Sequence, residues 1–535
     1  MTRGVLTEDT PEIQRLSRRM LGGRRLILVS NRGPIEHHVR DGQYEARQGG
    51  GGLAVALCSA AHCTPLSWVA SAMTEGDRQV ARRNGNGNGT AVAGGDAWRL
   101  RMVLVSKETY DRYYNLMSNA VLWFIQHSLW DSPCGPRGRP NLWQEVQEGW
   151  DFGYVPVNQA FAEAVLAELA KPDTAPYVMF HDYHLYLAPS YVRQRAPGAV
   201  LAHFSHIPWP SPDAWQQLPW SISQSVIEGL LACDLVGFQT PDSVHNFLLS
   251  CYDYIRGAAV DFEDGSVALD GHKTIVRSYP ISVDTAALQR RMESPAVMRY
   301  KTALASNGCP HTIVRVDRMD PAKNILLGFE AFDLLLENNP ELVGRMRFLA
   351  FLVPSRQAVP EYRCHAEAVL SLAEHINRRW GTDHWQPIQV FYEHNYDQAL
   401  AGLSLYDVLL VNSLSDGMNL VSKEGAFVNE RDGVLVLSRA AGAFRELGDA
   451  ALPIGPEDVA GTAQALADAL AMPIEERCWR AARLRAAVEA NDFSDWFERQ
   501  LSDLEEIAVA HRQSVGGNGY ASGNGQRALV GRAYS

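Results

Sequence analysis

At 535 residues the chain is too long for one small core, and about 100–200 residues per domain predicts two large units. Hydrophobic residues make up 46% and charged ones 21%, without an apolar run of about 18 residues, so the composition is that of a globular chain and excludes a membrane-spanning one. Lys plus Arg is 49 against 61 for Asp plus Glu, a net charge of −12 that argues against nucleic acid as the partner and leaves any anionic ligand to a local cluster of cations.

Residues 1–24 mix charges with short apolar stretches and lack the apolar core and small-residue cleavage site of a signal peptide, so a cytoplasmic location is expected. The eight cysteines show no CxxC or Cys/His ligand spacing, which predicts buried free thiols rather than a zinc site or a disulfide framework. Leu26 to Ser30 reads as a first buried strand with Asn31-Arg32-Gly33-Pro34 as its exit. Gln48-Gly49-Gly50-Gly51-Gly52-Leu53 places four glycines before an apolar helix start, where a backbone approaches a ligand closely. The Asn/Gly repeat at 84–89 cannot bury a core and is expected to be a mobile surface loop without an assigned function.

Tyr113-Tyr114-Asn115, Ser118-Asn119 and Trp123 combine aromatic faces with polar donors, a mixture that holds sugars and equally one that packs a core. Apolar runs at 178–180, 200–204 and 235–238 alternate with helix-like stretches, the pattern of a parallel sheet covered on both faces. Two of them end in His181-Asp182-Tyr183-His184 and in Ser205-His206-Ile207-Pro208, and strand exits line the ligand crevice of such sheets. A lone histidine is more often structural. Two at successive exits favour function.

After Asp284 the rhythm restarts with runs at 312–314, 348–353, 389–392, 408–411 and 434–437, a second α/β unit. Ile325, Phe329, Phe332 and Leu336 recur at helical spacing and are expected in its core. Asp320-Pro321-Ala322-Lys323-Asn324 opens that helix, with Asp320 placed to cap it and Arg318 and Lys323 flanking its N-terminus, an arrangement suited to the charge on a departing diphosphate. Arg356, beyond the strand at 348–353, is a candidate phosphate clamp.

The most informative segment is Asp416 to Glu424. It reads as strand exit, polar turn and helix N-terminus, with carboxylates roughly 12 Å apart at about 1.5 Å per residue and unpaired amides between them. A diphosphate flanked by two sugars has that shape.

Together these pieces resemble the trehalose-6-phosphate synthase family of retaining glycosyltransferases, family 20, over roughly residues 25 to 505. The resemblance implies an α/β GT-B architecture, two Rossmann-like domains whose parallel sheets face an interdomain cleft, with an N-terminal extension at 1–24, an acceptor domain at 25–284, a nucleotide-sugar domain at 285–510 and a disordered tail at 511–535. It further implies Arg318 and Lys323 as contacts to the donor diphosphate with Gly52 beside it, backbone amides of Leu420 and Val421, Glu424 on the ribose, and Asp416 and His206 on the donor glucose. Arg32, Tyr114, Trp123 and Arg356 would bind glucose 6-phosphate, and Asp182 would contact the sugar near the reacting centre. The implied donor is UDP-glucose or GDP-glucose, with neither metal nor cofactor, no nucleic acid or membrane partner, and a homo-oligomer left open. No DxD-type metal motif stands at this site.

The family commonly carries Asp-Tyr-(Ser/Thr)-Lys-Gly where this chain has Asp320-Pro321-Ala322-Lys323-Asn324, and a related branch that joins cyclitols carries Asp-Pro-x-Lys-Asn. The alternatives are therefore a same-fold enzyme for another phosphorylated polyol or cyclitol, and, from a different class, a non-catalytic sugar-phosphate sensor.

Overall fold

The apolar run after Arg25 forms β1 (Leu26–Val29), every residue buried. Hairpin strands β2 (Ile35–Arg40) and β3 (Gln43–Gln48) follow, then β4 (Leu66–Ser71), β5 (Thr90–Ala91), β6 (Trp98–Val103), β7 (Tyr177–His181), β8 (Val200–Phe204), β9 (Leu235–Phe238), β10 (Ala259–Asp261), β11 (Ser266–Leu269) and β12 (His272–Ser278). The computed structural model describes residues 21, 24–40, 43–48, 66–83, 90–91, 98–171, 175–305 and 309–517. The glycine run with Gly52 and the 84–89 repeat lie outside them.

Ten strands make the first sheet in the order β10-β11-β12-β9-β8-β7-β1-β4-β6-β5, parallel from β12 to β6 and antiparallel at both edges. The second sheet uses β13 (His311–Arg318), β14 (Met346–Val353), β15 (Ile388–Tyr392), β16 (Val408–Val411), β17 (Val434–Ser438) and β18 (Leu452–Ile454) in the order β15-β14-β13-β16-β17-β18, all parallel. In each sheet the chain runs outward from one strand, β1 or β13, and then returns to its other side, to β7 or β16. That reversal opens a crevice beyond the strands' carboxyl ends, where doubly wound sheets bind ligands.

Strand alternation divides the apolar side chains into layers. Ile27, Val29, Val178 and Phe180 face one core of the first lobe, and Ile313, Phe348 and Val408 face one core of the second. Leu26, Leu28, Val314, Leu409 and Leu435 belong to a continuous apolar cluster that also takes in Trp496 and Leu501. Ile325, Phe329, Phe332 and Leu336 are all fully buried, as their spacing predicts.

Three features depart from the sequence reading. The final helix, Phe493–Gly517, returns to the first lobe: Trp496 meets Phe204 edge-on at 5.2 Å, and the phenols of Tyr279 and Tyr177 donate to Asp503 and Glu505. Helix thus continues through the start of the expected tail to Gly517, with residues 518–535 outside the described set. Cys134 and Cys364 form a disulfide, Cα–Cα 6.2 Å; Cys233 and Cys251 are buried free thiols as expected, but Cys309 is half-buried and Cys478 exposed. The bonded pair is 230 residues apart and joins the two lobes, so no local spacing announces it. Beside it Arg139 holds Glu361 through two bonds of 2.6 and 2.7 Å.

Candidate active site

β13 ends at Arg318, and the chain then makes a tight turn at Pro321–Lys323 before Asn324 adopts a left-handed φ of 57° and the helix Ile325–Asn338 begins. Asp320 is not the predicted helix cap, because the extra turn separates it from the helix. Asn324 locks that turn instead. Its amide donates to the carbonyls of Asn412 at 2.9 Å and Pro456 at 2.6 Å, and Asn412 donates back to the Asn324 carbonyl at 3.0 Å.

The turn delivers Lys323, whose ammonium donates to Asp416 at the exit of β16. Asp416 also accepts from Asn419 at 3.0 Å. Burial pushes the Asp416 carboxyl up, but Lys323 and Asn419 outweigh it and hold the group ionised below its ordinary range. The helix Leu420–Val428 starts one residue later, capped by Asn419, whose side chain takes the Ser422 N–H. The amides of Leu420 and Val421 are then the ones helix geometry leaves for a ligand. Because the helix begins only at Leu420, Glu424 lies just over one turn into it. Burial raises its carboxyl to about 7 against the pull of a 2.8 Å bond from Tyr396.

On the facing lobe the helical run from Lys107 to Gln126 contains a wide-turned stretch, Arg112–Leu122, with Trp123 N–H donating five residues back to Ser118. Such stretches recur at functional sites. This one carries Tyr114, stacked between Tyr110 at 5.5 Å and His184 at 5.7 Å. Burial raises the Tyr114 phenol, yet Arg32, Arg356 and Arg318 outweigh it and bring it below its usual value. Three guanidinium groups from three strand exits therefore act on one phenol.

Trp123 is buried, stacked on His127 at 4.1 Å, with the Arg356 guanidinium 5.5 Å from its ring centre. Its indole is a wall of the site, and its buried Nε1 has no acceptor among the described residues. Arg356 itself donates to the phenols of Tyr362 at 2.9 Å and of Tyr183 at 3.0 Å, and Tyr183 donates to Asn119 at 2.6 Å.

Between these halves Asp182 follows β7 with φ of 72° and accepts from the His206 backbone at 3.3 Å. Burial raises its carboxyl to about 6. His206 faces His181 at 3.3 Å and Gln239 at 3.4 Å, and burial keeps both imidazoles neutral. A Cβ at Gly417 would lie 2.1 Å from the His206 carbonyl oxygen, so the Asp416 turn of one lobe rests directly on the His206 exit of the other.

Asp182, Asn324, Arg356 and Asn419 are all non-glycine residues with positive φ, and all stand at this cleft. Strained backbone of that kind persists where the surroundings over-determine it, commonly at functional sites.

Arg32, Tyr114, Trp123, Arg318 and Arg356 thus gather in one group, Lys323 pairs with Asp416 and Asp182 with His206, and Glu424 pairs with Tyr396 one turn into the Asp416 helix; Gly52 lies outside the described residues. Asp320, read from the sequence as a helix cap, joins the site instead as a partner of Arg318 and Arg356, and Tyr183 and Tyr396 join it without having been singled out. Tyr183 sat inside a quoted motif, while only the fold brings Tyr396 to Glu424. Among the described residues no group of three His, Cys, Asp or Glu is placed to hold a metal ion.

Two parallel-sheet lobes with cations at opposed switch points define a GT-B glycosyltransferase. The sequence model of Glycosyltransferase family 20 matches residues 24–506, and the chain belongs to that family. It is 31% identical to the alpha,alpha-trehalose-phosphate synthase [UDP-forming] of Schizosaccharomyces pombe, over 90% of this chain and 91% of that one. It is 33% identical to the bifunctional trehalose-6-phosphate synthase/phosphatase of Thermoproteus tenax over 88% of this chain, but spans only 62% of that longer protein. Among solved structures, the UDP-forming synthase from Burkholderia xenovorans in complex with glucose-6-phosphate superposes with a TM-score of 0.76 at 28% identity, covering 90% of this chain and all of that one. A structure from E. coli bound with UDP-2-fluoro glucose gives 0.75 at 30% identity, over 90% and 98%.

Proposed function

We propose that this chain transfers glucose from UDP-glucose to the anomeric hydroxyl of glucose 6-phosphate, with retention at the donor carbon, releasing UDP and α,α-trehalose 6-phosphate in the cytoplasm. The observation that carries the reading is the placement of two cation groups across one cleft: Arg318 and Lys323 on the donor lobe, and Arg32 with Tyr114 on the facing lobe, bridged by Arg356.

Lys323, Arg318 and the amides of Leu420 and Val421 would take the diphosphate, where positive charge and helix N–H groups stabilise the leaving oxygen as its bond to glucose breaks. Glu424 would accept from the ribose hydroxyls. Asp416 and His206 would orient the donor glucose, and Asp182 would accept from a sugar hydroxyl at the reacting centre. Arg32, Tyr114, Arg356 and the buried Trp123 Nε1–H would receive the acceptor phosphate. No nucleophile is assigned; the departing phosphate oxygen would take the proton of the incoming hydroxyl on the same face.

One departure supports a second acceptor class. Pro321 and Asn324 stand where the family commonly has Tyr and Gly, and the chain is 29% identical to the validamine 7-phosphate valienyltransferase of Streptomyces hygroscopicus subsp. jinggangensis over 90% of its length. A panel of UDP-glucose and GDP-glucose against glucose 6-phosphate and phosphorylated cyclitols, with products identified by mass and linkage, decides among them. Trehalose 6-phosphate from UDP-glucose is the expected product. Turnover only with a cyclitol phosphate, or no nucleotide release with any acceptor, would replace the reading with the cyclitol enzyme or the sensor.

A further inference from the structure

Asp320 lies between two guanidinium groups that serve different substrates in the reading above. Its Oδ2 is 2.7 Å from Nη2 of Arg318, and its Oδ1 is 3.2 Å from Nη1 of Arg356. The carboxylate is 1% exposed, and no cap bond uses it. Burial raises the group, but Arg318 and Arg356, with a hydrogen bond from Ser355 and the charge of Lys323, outweigh it, so it stays ionised.

The two arginines differ in what else holds them. Arg318 keeps 52% of its side chain exposed, anchored at the back by Asp320 and open to the cleft at the front. Arg356 is 8% exposed; the same Nη1 that meets Asp320 also donates to the Tyr362 phenol, and Nη2 donates to that of Tyr183. One buried charge thus faces two cations. A phosphate that draws on either cation competes with Asp320 for it, and Asp320 then interacts more strongly with the other.

We propose that Asp320 is a positioning residue that sets the donor-side Arg318 and the acceptor-side Arg356 together and couples occupancy of the two phosphate sites. The proposal rests on the assignment of those arginines to the two substrates. Losing the charge, as in Asp320→Asn, keeps the shape but leaves the buried Arg356 and the half-exposed Arg318 without their shared counter-ion and free to move.

The test is kinetic and thermodynamic on the full chain. In the wild type, titration calorimetry should show UDP affinity to depend on glucose 6-phosphate; Asp320→Asn should abolish that dependence and raise KM for both UDP-glucose and glucose 6-phosphate, each on the order of tenfold. In an Arg356→Ala background the same change should add nothing to the acceptor KM, whereas a merely structural role would add in full. An effect on one substrate alone, additivity in that background, or a wild type with no mutual dependence overturns the proposal. Should Asp320→Asn not fold, Arg356→Ala carries the test by itself: UDP affinity must change several-fold although Arg356 touches no nucleotide in this reading, and unchanged affinity rejects the coupling. A wild type that binds UDP but transfers nothing to glucose 6-phosphate removes the functional reading and leaves this UDP measurement to judge Asp320. One that binds neither overturns both.

Discussion

Arg356, carried by the second lobe, donates to the phenol oxygen of Tyr183 in the first at 3.0 Å, and Tyr183 passes its own proton to Asn119 at 2.6 Å. The proposed acceptor clamp is therefore held across the cleft rather than within one domain. A hydrogen bond to a charged group contributes about 1.5–3 kcal/mol, so Tyr183→Phe should raise the KM for glucose 6-phosphate by roughly 10- to 100-fold while leaving UDP affinity near wild type. Saturation curves for each substrate at fixed excess of the other separate the two, and an unchanged acceptor KM would show that the bond does not aim Arg356.

Lys323 is the cation placed against Asp416 where the leaving diphosphate is assigned. Its removal takes away charge that matters most as the bond to glucose breaks, so Lys323→Ala should lower turnover by about 10² to 10³ with a smaller effect on KM. Single-turnover rates at saturating substrates give the comparison. Near-wild-type turnover would count against its role.

How far the sequence carried the fold depends on the range of the interactions. β1, β7, β8, β13, β14 and β16 were legible because each is an apolar run ended by a polar exit, a local pattern that burial imposes on parallel strands. The site was legible for the same reason, since those exits carry Arg32, Asp182, His206, Arg318 and Asp416. Asp320 was misread because Asp before Pro suits a helix start, and only the second lobe's Arg356 loop and the intervening turn give it another task. The Cys134–Cys364 bond, the Tyr396–Glu424 bond and the return of Trp496 to Phe204 join residues distant in the chain, which periodicity does not report.

Glu424 should make nucleotide binding depend on pH. If ribose hydroxyls donate to its carboxylate, as proposed, then because burial raises that group to about 7, UDP affinity should rise as pH rises through about 7. Stability of the free protein has the opposite sign. The folded value lies above the unfolded one of about 4.3, so Glu424's contribution is present below about pH 4.3 and is lost as pH rises through about 7. Calorimetric titration of UDP across this range should give a sloping profile that Glu424→Gln flattens. A slope that survives the substitution belongs to another group, and Asp182, raised to about 6, is the next to test.

The seam behind Arg356 carries the Cys134–Cys364 bond beside the Arg139–Glu361 pair. Closing so long a loop restricts the unfolded chain, a stabilisation of typically 2–4 kcal/mol. Two fewer thiols should titrate in the denatured protein before reduction than after it. Cys134→Ser with Cys364→Ser should lower the unfolding midpoint by several degrees yet retain glucosyl transfer, because Arg139 still grips Glu361. Equal thiol counts would deny the bond, and loss of transfer at temperatures where the variant is folded would show that the ion pair alone does not keep Arg356 in place.

Gly417 has little room for change, because the turn that aims Asp416 lies on the carbonyl of His206 and a Cβ would come within 2.1 Å of that oxygen. Backbone cannot yield as a side-chain tip does. On the other side of the same turn Gly442 is equally confined, its Cβ position 1.9 Å from the Gly417 carbonyl oxygen. Gly417→Ala must therefore push the Asp416 turn away from the facing lobe, separating Asp416 from Lys323 and widening the donor-glucose pocket. Overpacking of this sort costs about 1–3 kcal/mol, so the variant should unfold at lower temperature and lose kcat/KM for UDP-glucose. Its KM for glucose 6-phosphate should move little, since Arg32 and Arg356 stand on other strand exits and Tyr114 on the helical stretch Arg112–Leu122. Wild-type donor kinetics in a folded Gly417→Ala protein would mean that the two lobes do not meet at this turn during catalysis.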